Sequence, residues 1–127
     1  MSDRDTLLNL SRSLLDSIVQ GDWQAYAELC DESLTCFEPE ARGHVVEGLA
    51  FHQFYFDGSP SPKRINTTIA SPHVRLMGDS AIVCYTRLTQ VIDSSGAAIT
   101  KSIEETRVWQ KIKNQWKHVH FHRSIPG

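Results

Sequence analysis

Three arginines lie in late segments of the 127-residue chain that have the pattern of β-strands. Arg87, Arg107 and Arg123 each share an alternation register with large apolar residues, which predicts that all three point inward. Arg107, for example, alternates in phase with Ile103 and Trp109. Because an unpaired guanidinium in an apolar interior is strongly destabilising, something anionic must meet these side chains.

Two sources of negative charge are open. Glu105 shares the register of Arg107, and further carboxylates could come from the first half of the chain: Glu38, Glu40 or Glu47. In that case the arginines form an internal ion-pair network. Alternatively, the pocket holds more positive charge than its own acids neutralise, and it receives the carboxylate of a ligand or of a peptide. The planar fork of arginine suits bidentate recognition of a carboxylate.

Two neighbours of the arginines extend this candidate site. Tyr85 alternates in phase with Arg87, and His52 lies on an aromatic segment that could line the same cavity. No Gly-x-Ser-x-Gly elbow, glycine-rich phosphate loop or His-Glu-x-x-His pattern is present. A proton-transfer enzyme would need a carboxylate or histidine held in an apolar cavity, for which Glu105, His52 or Glu38 are the candidates.

In the last predicted strand, the odd-numbered and even-numbered side chains point to opposite faces of the sheet. One face carries Val119, Phe121 and Arg123, and the other carries His118, His120 and His122. Three histidines suggest a metal site, but alternate strand positions are roughly 6 to 7 Å apart, too far to share one ion without distortion. The alternative places them on the outer sheet face with Thr106, Val108 and Gln110. Such a face is too apolar for solvent alone, which predicts an interface with another subunit.

Composition excludes several classes of partner. A net charge of -2 provides no cationic field for nucleic acid or an anionic membrane surface. No apolar run is long enough for a membrane span, and the start lacks a signal peptide, so the expected location is cytoplasmic. Cys30, Cys36 and Cys84 form no Cys-x-x-Cys pair and are predicted to be structural thiols; no cofactor is predicted.

The order of elements predicts an α+β fold. Helical periodicity covers residues 5 to 20, a short helix follows Asp22, and an aromatic helix covers 49 to 56. A turn-rich stretch at 57 to 62 separates these helices from the strands. Strands are predicted at 34 to 38, 66 to 70, 73 to 77, 80 to 93, 98 to 112 and 115 to 124. Helices followed by a meandering sheet indicate helices packed on one face of a curved antiparallel sheet.

Several motifs resemble one family closely. They are the runs Cys36 to Ala41, Val46 to Leu49, Phe51 to Phe56, Glu104 to Trp109 and Val119 to Ser124. In order and spacing they resemble the association, or hub, domain of calcium/calmodulin-dependent protein kinase II. The resemblance implies the cone-shaped fold of nuclear transport factor 2 and assembly with itself into dimers and stacked rings, without catalysis. It also implies a cavity that accepts small carboxylates or acidic peptide groups, with Arg87, Arg107, Arg123 and His52 at matching positions.

The chain also departs from this pattern. The family's loop after the aromatic helix carries a tryptophan, whereas Asp57 to Pro60 has none. Residues 1–127 are expected to form a single association domain without a kinase or calmodulin-binding segment, either free-standing or excised. The same fold hosts ketosteroid isomerases, polyketide cyclases and epoxide hydrolases, so a small enzyme acting on an acidic substrate is the alternative.

Overall fold

The computed structural model describes residues 2–58 and 64–127. Three helices form the first half: α1 (Asp3–Gln20), α2 (Trp23–Leu29) and α3 (Ala50–Asp57). Ser2 caps α1 by accepting a hydrogen bond from the Asp5 amide, and Asp22 caps α2 in the same way at Ala25. Gly21 ends α1 with φ of 68°, a left-handed conformation that glycine adopts without steric strain.

One six-stranded sheet forms the other layer. Its strands are β1 (Cys30–Phe37), β2 (Val46–Glu47), β3 (Ile65–Met77), β4 (Ser80–Ile92), β5 (Ala98–Ile112) and β6 (Gln115–Ser124), in the order β2-β1-β6-β5-β4-β3. A short 3₁₀ helix at Pro39–Ala41 follows β1. All neighbouring strands are antiparallel except β1 and β6, which run parallel. A parallel pair needs a long connection, and here the chain from β2 to β5 provides it.

The predicted α+β architecture is confirmed, with one difference in the third strand. The segments predicted at 66 to 70 and 73 to 77 form one continuous strand, β3, whose register shifts between Ala70 and His73. Ser71 in this irregularity has φ of 52°, so a bulge rather than a turn joins the two halves. Most of the turn-rich stretch predicted at 57 to 62 lies outside the described residues.

Helices and sheet enclose two groups of buried side chains. Around α1 the buried residues are Leu7, Leu15, Ala81, Val83, Tyr85 and Trp109. Around α2 they are Leu14, Tyr26, Cys30, Leu34, Cys36 and Phe121. The inward residues of β4, β5 and β6 thus pack under the helices, and the arginines in the same register must enter this interior too.

A bulge in β6 changes which histidines face inward. Trp109 pairs with His118, but Val108 pairs with His120, so Val119 is an extra residue in the ladder. The prediction that His118 lies on the outer face is therefore wrong: its side chain is fully buried against Trp109. His120 and His122 pair with Val108 and Thr106 on the other face, so the three histidines cannot share a metal ion.

None of the helices within residues 2–58 and 64–127 combines the length and hydropathy needed to cross a membrane.

Candidate functional site

Glu105 lies at the centre of the three arginines. Its carboxylate oxygens are 3.3 Å from Arg87 Nη2, 3.1 Å from Arg107 Nη2 and 3.2 Å from Arg123 Nε. The hydroxyl of Tyr85 also donates to Glu105 Oε1 at 2.7 Å. Burial alone would raise the pKa of Glu105, but the arginines and Tyr85 outweigh it and lower this pKa, so the carboxylate is ionised.

Arg107 is the most enclosed of the arginines, with a relative exposure of 1%. Its Nε donates to the Tyr85 hydroxyl at 2.7 Å, and its Nη1 contacts His118 Nε2 at 3.3 Å. Burial opposes the charge of Arg107, yet Tyr85 and Glu105 outweigh this effect and raise the pKa of the guanidinium. With Glu105 on Nη2, each of its three nitrogens already has a protein partner.

His118 contacts the Arg107 guanidinium and orients it. Because a guanidinium can only donate, His118 Nε2 must accept, which places the ring proton on Nδ1, 3.5 Å from Cys30 Sγ. The ring also stacks on Phe121, and burial followed by the charge of Arg107 holds the pKa of His118 well below its usual range. The bulge in β6 therefore supplies a neutral histidine that orients an arginine.

Arg123 connects the sheet to the segment after β1. Its Nη1 donates to Glu38 Oε2 at 3.0 Å and to Glu40 Oε1 at 3.1 Å, in addition to the Nε contact with Glu105. The 3₁₀ helix at Pro39–Ala41 positions Glu40, which is exposed, beside the buried side chain of Glu38. Glu47, the third acid considered from the first half, is exposed on β2.

His52 reaches the same region from α3. Its Nδ1 lies 3.4 Å from Glu38 Oε1, and its Nε2 lies 3.4 Å from Cys36 Sγ. Burial, assisted by Arg107 and Arg123, lowers the pKa of His52 to about 4, whereas burial raises the pKa of Glu38. At neutral pH the imidazole is therefore uncharged, and its contact with Glu38 is not an ion pair.

These groups surround a cavity of about 290 Å³. The polar part of its wall contains Glu38, Glu40, His52, Arg87, Arg107 and Arg123. The remaining wall consists of Ile18, Tyr26, Tyr55, Phe56 and Phe121. With Glu105, which lies between the arginines, the number of glutamates equals that of the arginines, so the interior ion-pair network is present and the described residues give the cavity no excess of positive charge. Its volume suits a ligand smaller than a typical drug molecule.

Arg87 retains hydrogen-bonding capacity that its neighbours have lost. It forms one ion pair, through Nη2 to Glu105, while its buried Nε has no hydrogen-bond partner among the described residues. Burial lowers the pKa of Arg87, although a guanidinium stays charged at physiological pH. The available donors of this site are therefore on the partly exposed arginines Arg87 and Arg123, at 15% and 16% side-chain exposure, and not on Arg107.

The structure brings all six predicted site residues into one region, with Tyr85 and Glu105 between the arginines and His52 at the wall. Sequence reasoning missed His118, which orients Arg107. A signal for His118 exists: Trp116 and Phe121 have opposite parities in one strand, yet both pack inward. Two inward aromatics out of phase indicate an inserted residue between them.

Comparison with solved structures defines the class of fold. An NTF2-like protein from Cytophaga hutchinsonii superposes with a TM-score of 0.79 at 18% identity, covering 99% of this chain and 100% of that one. A putative ketosteroid isomerase from Parabacteroides distasonis superposes with a TM-score of 0.75 at 21% identity, covering 98% of this chain and 89% of that one. At such identities these likenesses show the fold alone, which is that of the nuclear transport factor 2-like superfamily.

Closer relatives define the family to which the chain belongs within this fold. The model of the calcium/calmodulin dependent protein kinase II association domain matches residues 3–127, and the chain belongs to this family. It is 48% identical to the CaMKII hub homology domain of C. reinhardtii, with a TM-score of 0.92, covering 99% of this chain and 100% of that one. It is also 49% identical over 124 residues to the calcium/calmodulin-dependent protein kinase type II alpha chain of Drosophila melanogaster.

That match covers 95% of this chain but only 23% of the Drosophila protein. The delta subunit from Oryctolagus cuniculus gives 48% identity with the same two coverages. The chain therefore spans about a quarter of the length of these curated relatives, and the shared part is the association domain.

Proposed function

We propose that the protein is a homo-oligomerising association domain without catalysis of its own, whose cavity binds a small carboxylate or the acidic group of a peptide. The observation that carries this proposal is the family match over residues 3–127, together with a hub homology domain that superposes over nearly the whole chain. The geometry of the sheet and of the cavity supports the two halves of the proposal separately.

The outer face of the sheet is the surface proposed for the dimer. One row across it contains Thr35, His120, Val108 and Ile82, paired in register on four adjacent strands. Thr35 Oγ1 and His120 Nδ1 are 2.7 Å apart, so two of the polar groups on this face form a hydrogen bond with each other. A mixed apolar and uncharged polar surface of this kind is typical of an interface core.

A ring requires a second contact, because one two-fold interface closes at a dimer. The helical side provides a suitable surface on α3, where Phe54 is 74% exposed and Tyr55 is 53% exposed. Large neighbouring aromatics in water favour burial against another chain. We therefore assign the outer sheet face to the dimer and the exposed aromatics of α3 to contacts between dimers.

The anion is proposed to bind at Arg87 and Arg123. The unpaired Nε of Arg87 supports this assignment, since a buried donor without a partner gains a hydrogen bond when a carboxylate arrives. Arg107 has a positioning role instead, because its nitrogens already contact Tyr85, Glu105 and His118.

Titration of acetate and butyrate by calorimetry tests the cavity. We expect saturable binding to the wild type and at least a tenfold loss of affinity in Arg87→Gln, which removes the available donor but only one ion pair. Arg4→Gln, at an exposed arginine on α1, is the matched control and should bind as the wild type does. Equal affinity in Arg87→Gln and Arg4→Gln would contradict the assignment, and no binding to the wild type would remove the ligand half of the proposal.

A proton-transfer enzyme is the second candidate. The raised pKa of Glu38 beside a neutral His52 in a cavity favours it, since acid and base catalysts have tuned pKa values. Turnover of small keto acids or epoxides that is lost in Glu38→Gln would support this candidate. Absence of turnover across such a panel would leave the association domain as the function.

A further inference from the structure

Three side chains of metal-ligating type meet in the wall of the cavity. Cys36 and Glu38 are two positions apart at the end of β1, so they project to the same side, toward α3. His52, in the first turn of α3, faces them. All three side chains are buried, with Cys36 at 0% and His52 at 6% relative exposure.

The distances between these side chains suit one small ion. One ligand atom from each residue lies within 4.8 Å of the other two. Cys36 Sγ is 3.4 Å from His52 Nε2, and Glu38 Oε1 is 3.4 Å from His52 Nδ1. Ligand atoms around a tetrahedral Zn²⁺ are roughly 3.3 to 3.6 Å apart, given bonds of about 2.0 to 2.3 Å. The two contacts use opposite nitrogens of the imidazole ring, and one ion can bind only one of them. The side chains must therefore move by about 1 Å for all three to bind the same ion.

Glu38 has a carboxylate oxygen available for such an ion. Its Oε2 accepts from Arg123, whereas its buried Oε1 accepts no hydrogen bond among the described residues. The side chain is only 5% exposed. A buried carboxylate oxygen without a hydrogen bond is costly, and a bound cation satisfies it directly.

The surrounding charges permit a cation here. Glu38, Glu40 and Glu105 together match the three arginines in number. Arg123 keeps Glu40 and Glu105 as partners when Glu38 binds a metal. Coordination uses the unprotonated imidazole of His52 and the thiolate of Cys36, so metal binding releases the thiol proton.

We propose that Cys36, Glu38 and His52 form a Zn²⁺ site with three protein ligands and a fourth position open to the cavity. A thiolate, an imidazole and a carboxylate form a ligand set that suits Zn²⁺. Glu38 and His52 line the cavity, which directs the fourth position toward its interior. The site does not depend on self-association or on carboxylate binding.

Cobalt is the spectroscopic probe for this site. The assembled protein, freed of metal with EDTA, is titrated with Co²⁺ and then with Zn²⁺. We expect one Co²⁺ per chain, a thiolate-to-cobalt charge-transfer band with the visible bands of tetrahedral Co²⁺, and loss of both when Zn²⁺ displaces it. Cys36→Ser should abolish the charge-transfer band, and Glu38→Gln should weaken Co²⁺ binding at least tenfold.

Cys30→Ser is the matched control. Cys30 is also buried, and its Sγ lies 3.5 Å from a histidine, but no carboxylate within residues 2–58 and 64–127 completes a ligand set there. This variant should bind Co²⁺ as the wild type does. X-ray absorption at the zinc edge of the wild type needs no variant and should find one sulfur neighbour at about 2.3 Å.

Absence of the charge-transfer band in the wild type, or an equal band in Cys36→Ser, would overturn the proposal. A zinc edge without a sulfur neighbour would do the same. The assembly mass and the carboxylate titration are measured on protein that has been freed of metal with EDTA and then dialysed to remove the EDTA, so that their outcome is independent of the metal.

Discussion

At the scale of single residues, Glu105 is the carboxylate that pairs with all three arginines of the site. Its carboxylate contacts three guanidinium groups and a tyrosine hydroxyl while the residue is only 2% exposed. Arg87, Arg107 and Glu105 are inward because β4 and β5 pair without interruption. Arg123 is inward because it follows the bulge in β6 and pairs there in phase with Glu105. Removal of one charge from such a buried set leaves its partners uncompensated.

Glu105→Gln should lower the free energy of unfolding by roughly 3 to 5 kcal/mol, because it breaks buried ion pairs while it preserves side-chain shape. Urea unfolding followed by circular dichroism measures the change. Glu104→Gln is the control: the neighbouring residue is exposed, and its contact is to Ser124 Oγ. It should change stability by less than about 0.5 kcal/mol. Similar unfolding of the two variants would show that Glu105 has no special part in stability.

His118 should make stability depend on pH. Burial and Arg107 lower the pKa of His118 in the folded protein, whereas an unfolded chain has a histidine pKa of about 6.5. Below about pH 6.5 the unfolded state therefore binds a proton that the folded state does not, and stability falls as the pH falls. His118→Gln should reduce this slope by about 1.4 kcal/mol per pH unit between pH 6 and 5.

Urea titrations at pH 7, 6 and 5 measure that slope. His52, with a pKa lowered to about 4, contributes in the same sense, so part of the slope should remain in His118→Gln. His44→Gln, at an exposed histidine, serves as the control and should follow the wild type. An unchanged slope in His118→Gln would mean that His118 is protonated in the folded state.

The strands illustrate what sequence can and cannot predict at the scale of elements. Alternation placed Arg87 and Arg107 correctly because β4 and β5 pair without interruption over thirteen residue pairs. It failed for His118 because one inserted residue, Val119, reverses the phase within β6. The strand residues of the site were predictable because they follow the inserted residue or lie on regular strands, whereas His118, which orients Arg107, precedes the inserted residue.

The parallel pairing of β1 with β6 is a second feature that local patterns did not reveal. It places Cys36 beside Phe121 and Phe37 beside His122, residues far apart in sequence. This pairing brings Glu38 to Arg123 and so completes the network. Pairings between the ends of a chain depend on the packing of the whole domain and leave no periodic signal in either segment.

The outer sheet face should be sensitive to charge. Val108 lies between His120 and Ile82 in register, on the face opposite to Arg107 and Trp109. Val108→Lys should dissociate or shrink the assembly, because an unpaired charge would be buried in the proposed dimer contact. Carboxylate affinity, measured on the same sample, should stay within about twofold, since additivity holds for separate sites.

Gln24→Lys, at an exposed position on α2, is the control for an added surface charge and should leave the mass unchanged. Size-exclusion chromatography with light scattering compares the variants. If Val108→Lys keeps the mass of the wild type, the dimer contact lies elsewhere on the molecule.

At the scale of the whole molecule, the chain combines the cavity with two candidate contact surfaces, the outer sheet face and the exposed aromatics of α3. The cavity lies between the helices and the sheet, and the outer sheet face is on the opposite side of the sheet. Of the two exposed aromatics of α3, Tyr55 also lines the cavity, whereas Phe54 does not. The outer sheet face and the cavity can therefore be tested by separate substitutions. The family match and the structural likeness to hub domains make self-association the central claim.

The mass of the assembly, measured by native mass spectrometry at two protein concentrations, tests that claim most directly. We predict a discrete species larger than a dimer whose mass does not change on tenfold dilution. A monomer of 14.4 kDa at micromolar concentration would contradict the account. A stable dimer would retain the sheet interface and would contradict the second contact through α3.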